Sequence, residues 1–145
     1  MSVTGLIRGH GAPTNRADTA VMCRWHIKPS AEWLPVLRSE VAEFAQRSGL
    51  PPDEIDAALL IVNELVSNVI DHARSAARVT VRLTNSTVRI FVSDQSPAEP
   101  VLRPYNRHAL RGRGIRIVSS LARRWGYSRH GVGKTVWASM DRAPC

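Results

Sequence analysis

The chain has 145 residues and a formal net charge of +8, which fit a single domain and suggest an anionic partner. Hydrophobic residues make up 43% of the sequence and charged residues 22%, as in a globular protein with a core. No run approaches the ~18 apolar residues of a membrane helix, and no signal-peptide pattern is present, so we expect no membrane association. The two cysteines are far apart in sequence, which favours a reducing cytoplasm over a structural disulfide.

The first half of the chain predicts a tail, a strand and two helices. Glycine and polar residues dominate residues 1–18, so we expect a flexible tail before a single domain over residues 19–145. Apolar residues alternate over Thr19–Ile27, which indicates a strand. Helical spacing follows Ser30 and stops at Gly49, the predicted C-cap.

The second helix, predicted over Asp53–His72 with Asp53 as its N-cap, carries the most informative pattern. Its apolar residues recur at helical spacing, and a polar stripe of Glu64, Asn68 and Asp71 interrupts them, with His72 at its edge. An isolated Glu/Asn pair at this spacing is more often a surface hydrogen bond than a site. In a pocket, however, the carboxylate can activate a hydroxyl and the amide oxygen can bind Mg²⁺.

The second half predicts two hairpins separated by a binding loop and a helix. Alternation over Ala76–Leu83 and from Val88 to Asp94 gives one hairpin. Residues 95–110 contain three prolines and no periodicity, which is typical of a lid or binding loop. A helix then runs from Gly114 to Gly126, and two last strands follow over residues 127–130 and 135–140. The predicted fold is α+β: a two-layer sandwich with a mixed, mostly antiparallel sheet and helices on one face.

Three short patterns add chemistry to the polar stripe. Asp94 ends a strand, where its carboxylate can accept a hydrogen bond from an exocyclic amine such as that of adenine, although a turn-forming aspartate would look the same. Gly112-Arg113-Gly114 precedes a helix, where backbone amides can approach an anion. The turn before Thr135 is weak evidence by itself. Each pattern is unspecific alone.

Taken together and in this order, the patterns resemble the GHKL (histidine-kinase-like) ATPases. The stretches at residues 64–73, 92–94, 112–118 and 133–138 are similar to the N box, G1 box, G2 box and final strand of that family. The likeness is greatest to the single-domain RsbW-type anti-sigma-factor kinases. It implies the GHKL (Bergerat) ATP-binding fold over about residues 20–140.

The resemblance also implies a role for each matching residue. Glu64 would be the general base, and Arg111 would contact the terminal phosphate. Asn68 would bind Mg²⁺, and Asp94 would receive the adenine amine. The remaining implied cofactor-binding residues are Asp71 and His72 as supports, Gly112, Arg113 and Gly114 at the phosphates, and Thr135 in the adenine hydrogen-bond network.

The implied activity is that of an ATP- and Mg²⁺-dependent serine/threonine protein kinase and anti-sigma factor. It would transfer the γ-phosphate of ATP to a serine of a STAS-type anti-sigma-factor antagonist, bind a sigma factor and form a homodimer. The G1 box departs from the family pattern, because Ser96 and Ala98 replace two glycines. This keeps open an alternative, a catalytically weak or inactive nucleotide- or partner-binding module.

The basic charge by itself permits a third class, a nucleic-acid binder. Eight arginines fall between residues 103 and 129. They form no helix-turn-helix or basic-zipper pattern, and no stacking aromatics interleave with them. We therefore expect no direct contact with nucleic acid.

Overall fold

A computed structural model describes residues 20–73, 75–95 and 121–143. The expected tail of residues 1–18 lies outside these residues, as does most of the predicted binding loop. The elements, in chain order, are β1 (Val21–Ile27), a 3-10 turn (Ala31–Trp33), α1 (Leu34–Arg47), α2 (Pro52–Asn68), a π-helical turn (Val69–Ala73), β2 (Ala77–Leu83), β3 (Thr87–Asp94), β4 (Arg124–His130) and β5 (Gly133–Asp141).

The five strands form one sheet in the order β1-β2-β3-β5-β4. All four pairings between described strands are antiparallel. Both helices pack on one face of this sheet: Phe44 of α1 meets Trp25 of β1 edge-to-face, with ring centroids 6.0 Å apart, and α2 packs on β3 and β5. The predicted α+β fold, with helices on one face of a mostly antiparallel sheet, is confirmed.

The core lies between the helices and the sheet. Alternate residues of β3, Val88, Ile90 and Val92, are fully buried, as the two-residue period of a strand requires when one face is covered. From α2, Ile61, Val62 and Val66 are equally inaccessible. Cys23 is buried and unbridged, and desolvation raises the pKa of its thiol, which keeps it protonated and unreactive.

Helix boundaries follow the predicted signals with two corrections. Gly49 has φ +86°, as the predicted glycine cap after α1 requires. Asp53 is not the N-cap, because α2 already begins at Pro52, whose fixed φ suits the first helical position. The predicted helix also does not continue as an α-helix to His72. It ends at Asn68, and a π-helical turn follows.

The predicted helix over residues 114–126 is too long at its C-terminal end. Leu121 is helical, but β4 begins at Arg124, so Trp125 and Gly126 are strand residues. The reason is a tertiary contact: Arg123 N–H donates to the carbonyl oxygen of Ser139 at 2.8 Å, and from there β4 pairs along β5. Sheet pairing overrides the local helical spacing.

The C-terminal end of β5 is fastened to the other elements by Arg142. Its guanidinium donates to the carbonyl oxygen of Thr84 at 2.8 Å, and its Nε lies 3.4 Å from the Glu54 carboxylate of α2. The backbone N–H of Ala143 donates to the same carboxylate at 2.8 Å. These contacts fix the first turn of α2 against the sheet.

No helix in the described part of the chain is long and apolar enough to cross a membrane.

Candidate functional site

Asp94 is the last residue of β3 and is buried, with 1% of its surface exposed. Its side chain faces the helix layer, because it continues the alternation of Ile90 and Val92. The Lys134 ammonium of β5 lies 3.0 Å from one carboxylate oxygen and 3.3 Å from the other. Lys134 is itself 6% exposed. A buried lysine therefore neutralises the carboxylate that sequence reasoning assigned to adenine.

Thr135, the predicted partner in the adenine network, lies on the opposite face of β5 from Asp94. Successive strand residues point to opposite faces, so the position beside Asp94 belongs to Lys134. The Thr135 hydroxyl instead forms hydrogen bonds with the Ser93 hydroxyl at 2.7 Å and with His130 Nε2 at 2.8 Å. The Thr135 side chain is thus turned away from Asp94, and its expected place in the adenine hydrogen-bond network, direct or through water, stays a prediction.

Gly133 holds β5 close to the end of β3. A Cβ at this position would overlap the carbonyl oxygen of Asp94 and lie 3.2 Å from Cα of Gln95. No rotamer change can relieve a clash with main-chain atoms. The glycine is thus required for the close approach that brings Lys134 against Asp94.

The end of β3 also meets the segment that follows α2. The backbone N–H of Gln95 donates to Ser75 Oγ at 3.1 Å. Since α2 covers the helix-facing side of the sheet, Asp94 and the polar stripe of α2 lie on the same side. The hydrogen bond ties the end of β3, which carries Asp94, to the segment that follows the π-helical turn.

Glu64, Asn68 and Asp71 are all half-buried, and their apolar neighbours Ile61 and Leu65 are buried. The stripe is therefore not an open solvated face. Desolvation raises the pKa of the Glu64 carboxyl, and a hydrogen bond from the Asn63 side chain opposes part of that rise. A carboxylate with a raised pKa is a stronger base, which suits proton abstraction from a hydroxyl.

The π-helical turn begins directly after Asn68. Its wider i→i+5 spacing changes the direction of the residues that follow, so Asp71 does not continue the α-helical stripe of Glu64 and Asn68 in regular phase. Single π-helical turns are frequent at functional sites. Asp71 lies in this turn and is engaged in an interaction of its own. His72 belongs to the same turn, and its side chain lies outside the described part.

The predicted phosphate-binding residues, Arg111, Gly112, Arg113 and Gly114, also lie outside the described residues, with Ser96 and Ala98. Their roles stay predictions. The described part contains Asp94 as the candidate acceptor for adenine, Glu64 as the candidate general base and Asn68 as the candidate metal ligand.

Asn68 fits the metal that the resemblance implies. Mg²⁺ in nucleotide sites is held by one or two side-chain oxygens together with waters and substrate phosphates, not by an all-protein cage. The described residues contain no cluster of three or more His, Cys, Asp and Glu side chains suited to a metal. A half-buried amide oxygen at the end of α2 suits an ion held mainly by phosphates.

Lys134 is the site residue that sequence reasoning missed. A usable signal was present: Lys134 precedes Val136, Ala138 and Met140 at two-residue spacing, and Ala138 and Met140 are buried. A lysine in phase with an apolar face needs a partner. The pairing of β5 with β3, which names Asp94 as that partner, cannot be read from local sequence.

Comparison with known proteins identifies the fold independently of the site residues. An uncharacterised protein of Streptomyces coelicolor is 32% identical over 80 residues, which are 52% of this chain and 76% of that protein. The crystal structure of the RsbU and RsbW domains of Rv1364c from Mycobacterium tuberculosis superposes with a TM-score of 0.61 at 16% identity. The match covers 84% of this chain but 34% of that one, so this chain spans about a third of its length. At such identity the likeness shows the fold alone.

The family assignment comes from a family model described as a histidine kinase-like ATPase domain, which matches residues 27–140. The matched segment includes α2, all of β3, β5 as far as Met140, and Glu64, Asn68 and Asp94. The GHKL family predicted from the sequence is confirmed: the chain belongs to the histidine kinase-like ATPase domain family.

Proposed function

We propose that the protein is an ATP- and Mg²⁺-dependent serine/threonine kinase of RsbW type that acts in the cytoplasm as an anti-sigma factor. It would transfer the γ-phosphate of ATP to a serine of a STAS-type antagonist and would bind a sigma factor, as a homodimer. The observation that carries the proposal is that α2, which bears Glu64 and Asn68, packs on the face of the sheet toward which Asp94 turns. The backbone N–H of Gln95, directly after Asp94, donates to Ser75 in the segment that follows the π-helical turn.

The chain's own residues supply positioning and one proton acceptor. The Asp94 carboxylate accepts a hydrogen bond from the adenine amine. Asn68 contributes an oxygen ligand to Mg²⁺, which neutralises phosphate charge when bound. Glu64 accepts the proton of the attacking serine hydroxyl, and its partial burial makes that carboxylate more basic. The remaining phosphate contacts are assigned to Arg111, Arg113 and the glycine amides of 112 and 114, and Asp71 and His72 support the metal ligand.

A second candidate is a module of the same fold that binds nucleotide or partner without transferring phosphate. The buried Lys134 ammonium favours it, because it already lies within 3.3 Å of both oxygens of the Asp94 carboxylate that is proposed to bind adenine. An adenine amine then competes with, or adds to, an existing charged contact. The replacement of two G1-box glycines by Ser96 and Ala98 also favours the binding module.

Phosphate transfer separates the two candidates. Wild-type protein is incubated with γ-labelled ATP, Mg²⁺ and a purified STAS-domain antagonist. Glu64→Gln keeps the shape but removes the basic oxygen, so transfer should fall by roughly 10²–10⁴ while nucleotide affinity stays within a few fold. Glu43→Gln, an exposed change on α1, is the matched control and should leave transfer intact.

Tight nucleotide binding by the wild type with no transfer to any antagonist tested would contradict the kinase and favour the binding module. Equal transfer by wild type and Glu64→Gln would remove Glu64 from the mechanism. Absence of nucleotide binding would contradict both candidates.

A further inference from the structure

The face of the sheet turned away from the helices has no covering element among the described residues. Strand alternation and the four pairing registers place three rows of side chains that cross all five strands, with the shorter row of Thr87 and Asp141 beyond the first. We call this surface the open face, and its rows are Met22, Arg82, Arg89, Ser139 and Arg124; then Arg24, Thr80, Phe91, Trp137 and Gly126; then His26, Arg78, Ser93, Thr135 and Ser128.

The first row concentrates positive charge. Arg82 and Arg89 stand directly opposite each other on neighbouring strands, and both are exposed. Like charges in this arrangement repel and destabilise the pairing. Within the described residues, neither arginine has an ion pair with a carboxylate, and the nearby Asp141 is paired with Arg123 at 2.8 Å. An anion bound between the two guanidinium groups would relieve the repulsion.

The middle row supplies flat aromatic surface. Phe91 and Trp137 are direct partners on the two central strands, and both are half-buried. The indole of Trp137 lies over Gly126 of β4: a Cβ on that glycine would be 3.1–3.4 Å from three ring atoms. Because Gly126 has no side chain, the ring rests on the main chain of the edge strand. The neighbouring rows flank this pair with Arg82 and Arg89 on one side and Arg78 on the other.

We propose that the open face binds single-stranded nucleic acid. Bases stack on flat aromatic rings whatever their sequence, and arginines beside them hold the phosphates in forked hydrogen bonds. This sheet face, which no described element covers, has aromatics on its central strands and arginines around them and so provides both contacts. The inference is independent of the nucleotide site, which lies on the opposite, helix-facing side of the sheet.

The same charges disfavour a second copy of this chain as the occupant. A two-fold contact through the open face would oppose one arginine-rich surface to another. An acidic protein segment would satisfy the arginines but would leave the aromatic pair without the planar partners that bases provide. Charge and ring surface together favour the nucleic acid.

The test is fluorescence anisotropy with a fluorescein-labelled single-stranded oligodeoxythymidine of about 15 nucleotides, titrated with full-length protein over a range of salt concentrations. The Arg82→Ala/Arg89→Ala variant should weaken binding at least about tenfold at low salt. It should also reduce the slope of log affinity against log salt by about 1.4, for two lost single-strand phosphate contacts. Both side chains are exposed, so the variant should fold.

The matched control removes the same charge from the other layer. Arg38 and Arg47 are exposed on α1, and Arg38→Ala/Arg47→Ala should change the affinity by less than about twofold. Trp137→Ala should lose about tenfold, whereas Trp137→Phe, which keeps a ring, should lose less. ATP should not compete with the oligonucleotide.

Four results would overturn the proposal. One is no oligonucleotide binding by the wild type at about 50 mM salt, where phosphate contacts are strong. The second is an equal loss in the α1 control, which would reduce the binding to net charge. The third is a change of oligomeric state in the open-face variants by sedimentation, which would assign the surface to a copy of the chain. Binding of a polyglutamate peptide in place of the oligonucleotide would assign it to an acidic protein.

Discussion

Because the Lys134 ammonium is buried beside Asp94, we expect two properties, the free energy of unfolding and the proposed adenine binding, to depend on this one pair of residues. Asp94→Asn leaves the ammonium buried without its counter-charge, which should lower the free energy of unfolding by about 3–5 kcal/mol. Asp94→Asn/Lys134→Met removes both charges and should recover most of that loss. Nucleotide affinity should stay reduced in the double variant, by about 1–3 kcal/mol, because the carboxylate acceptor is still missing.

Urea unfolding and nucleotide-binding calorimetry on the two variants measure these quantities separately. Equal stability of the single and double variants would mean that the ion pair does not stabilise the fold. Adenine nucleotide bound by the double variant as tightly as by the wild type would contradict the assignment of Asp94 as the base acceptor.

Glu64 should leave a mark on the pH dependence of stability. Burial raises the pKa of the Glu64 carboxyl above its ordinary value of 4.5, so the folded state holds this proton more tightly than the unfolded state. The group therefore favours the folded state fully below pH 4.5, and this contribution is lost as the pH rises through the raised pKa. Glu64→Gln should match the wild type at acid pH and become relatively more stable as the pH rises.

Urea unfolding of both proteins between acid and neutral pH makes the comparison. Asn63→Ala removes the hydrogen bond that lowers the pKa of Glu64. The pH range over which the stabilising contribution of Glu64 is lost should therefore move upward. A difference between wild type and Glu64→Gln that is constant with pH would contradict the raised pKa.

At the scale of an element, β5 depends on Gly133 for its position. Gly133→Ala should lower the free energy of unfolding by about 3 kcal/mol, because the added methyl meets the main chain of β3 and cannot rotate away. Nucleotide affinity should fall as well, since Asp94 and Lys134 are displaced together. Unfolding and calorimetry measure the two effects.

Gly126→Ala is the matched control on the same strand pair. Its new methyl meets the Trp137 ring, a side chain that can shift, so its cost should be clearly smaller. Equal costs at Gly133 and Gly126 would indicate that the main-chain approach at Asp94 is not tight.

The elements also show what sequence can and cannot predict here. Alternation and glycine caps predicted β1, β2, β3 and α1 closely, because those signals are local. The start of β4 at Arg124 and the π-helical turn after Asn68 were missed, because neighbouring strands and packing decide them. For the site, the polar stripe and Asp94 came from sequence, whereas Lys134 required the register between β3 and β5.

On the scale of the whole molecule, the pairing of the strands brings together arginines that are far apart in the sequence. The arginines that stood out in the sequence crowd into residues 103–129. Four of the five on the open face come instead from three other strands, β1, β2 and β3, and Arg82 and Arg89 meet only through the β2–β3 hairpin. The sequence prediction of no nucleic-acid contact considered only arginines that are close together in the sequence. Strand pairing in a sheet can bring together arginines from separate segments.

The pairing of β3 with β5 has a consequence for how the protein folds. Leu83 and Val88 pair across a short hairpin, but Asp94 and Lys134 are 40 residues apart in the chain. Closing a longer loop costs more entropy, so the hairpin should form first and the base acceptor should gain its counter-charge late. Pulse-labelling hydrogen exchange during refolding should therefore protect the β2–β3 amides before those of β5. A newly made chain would then acquire its scaffold before it could hold a nucleotide.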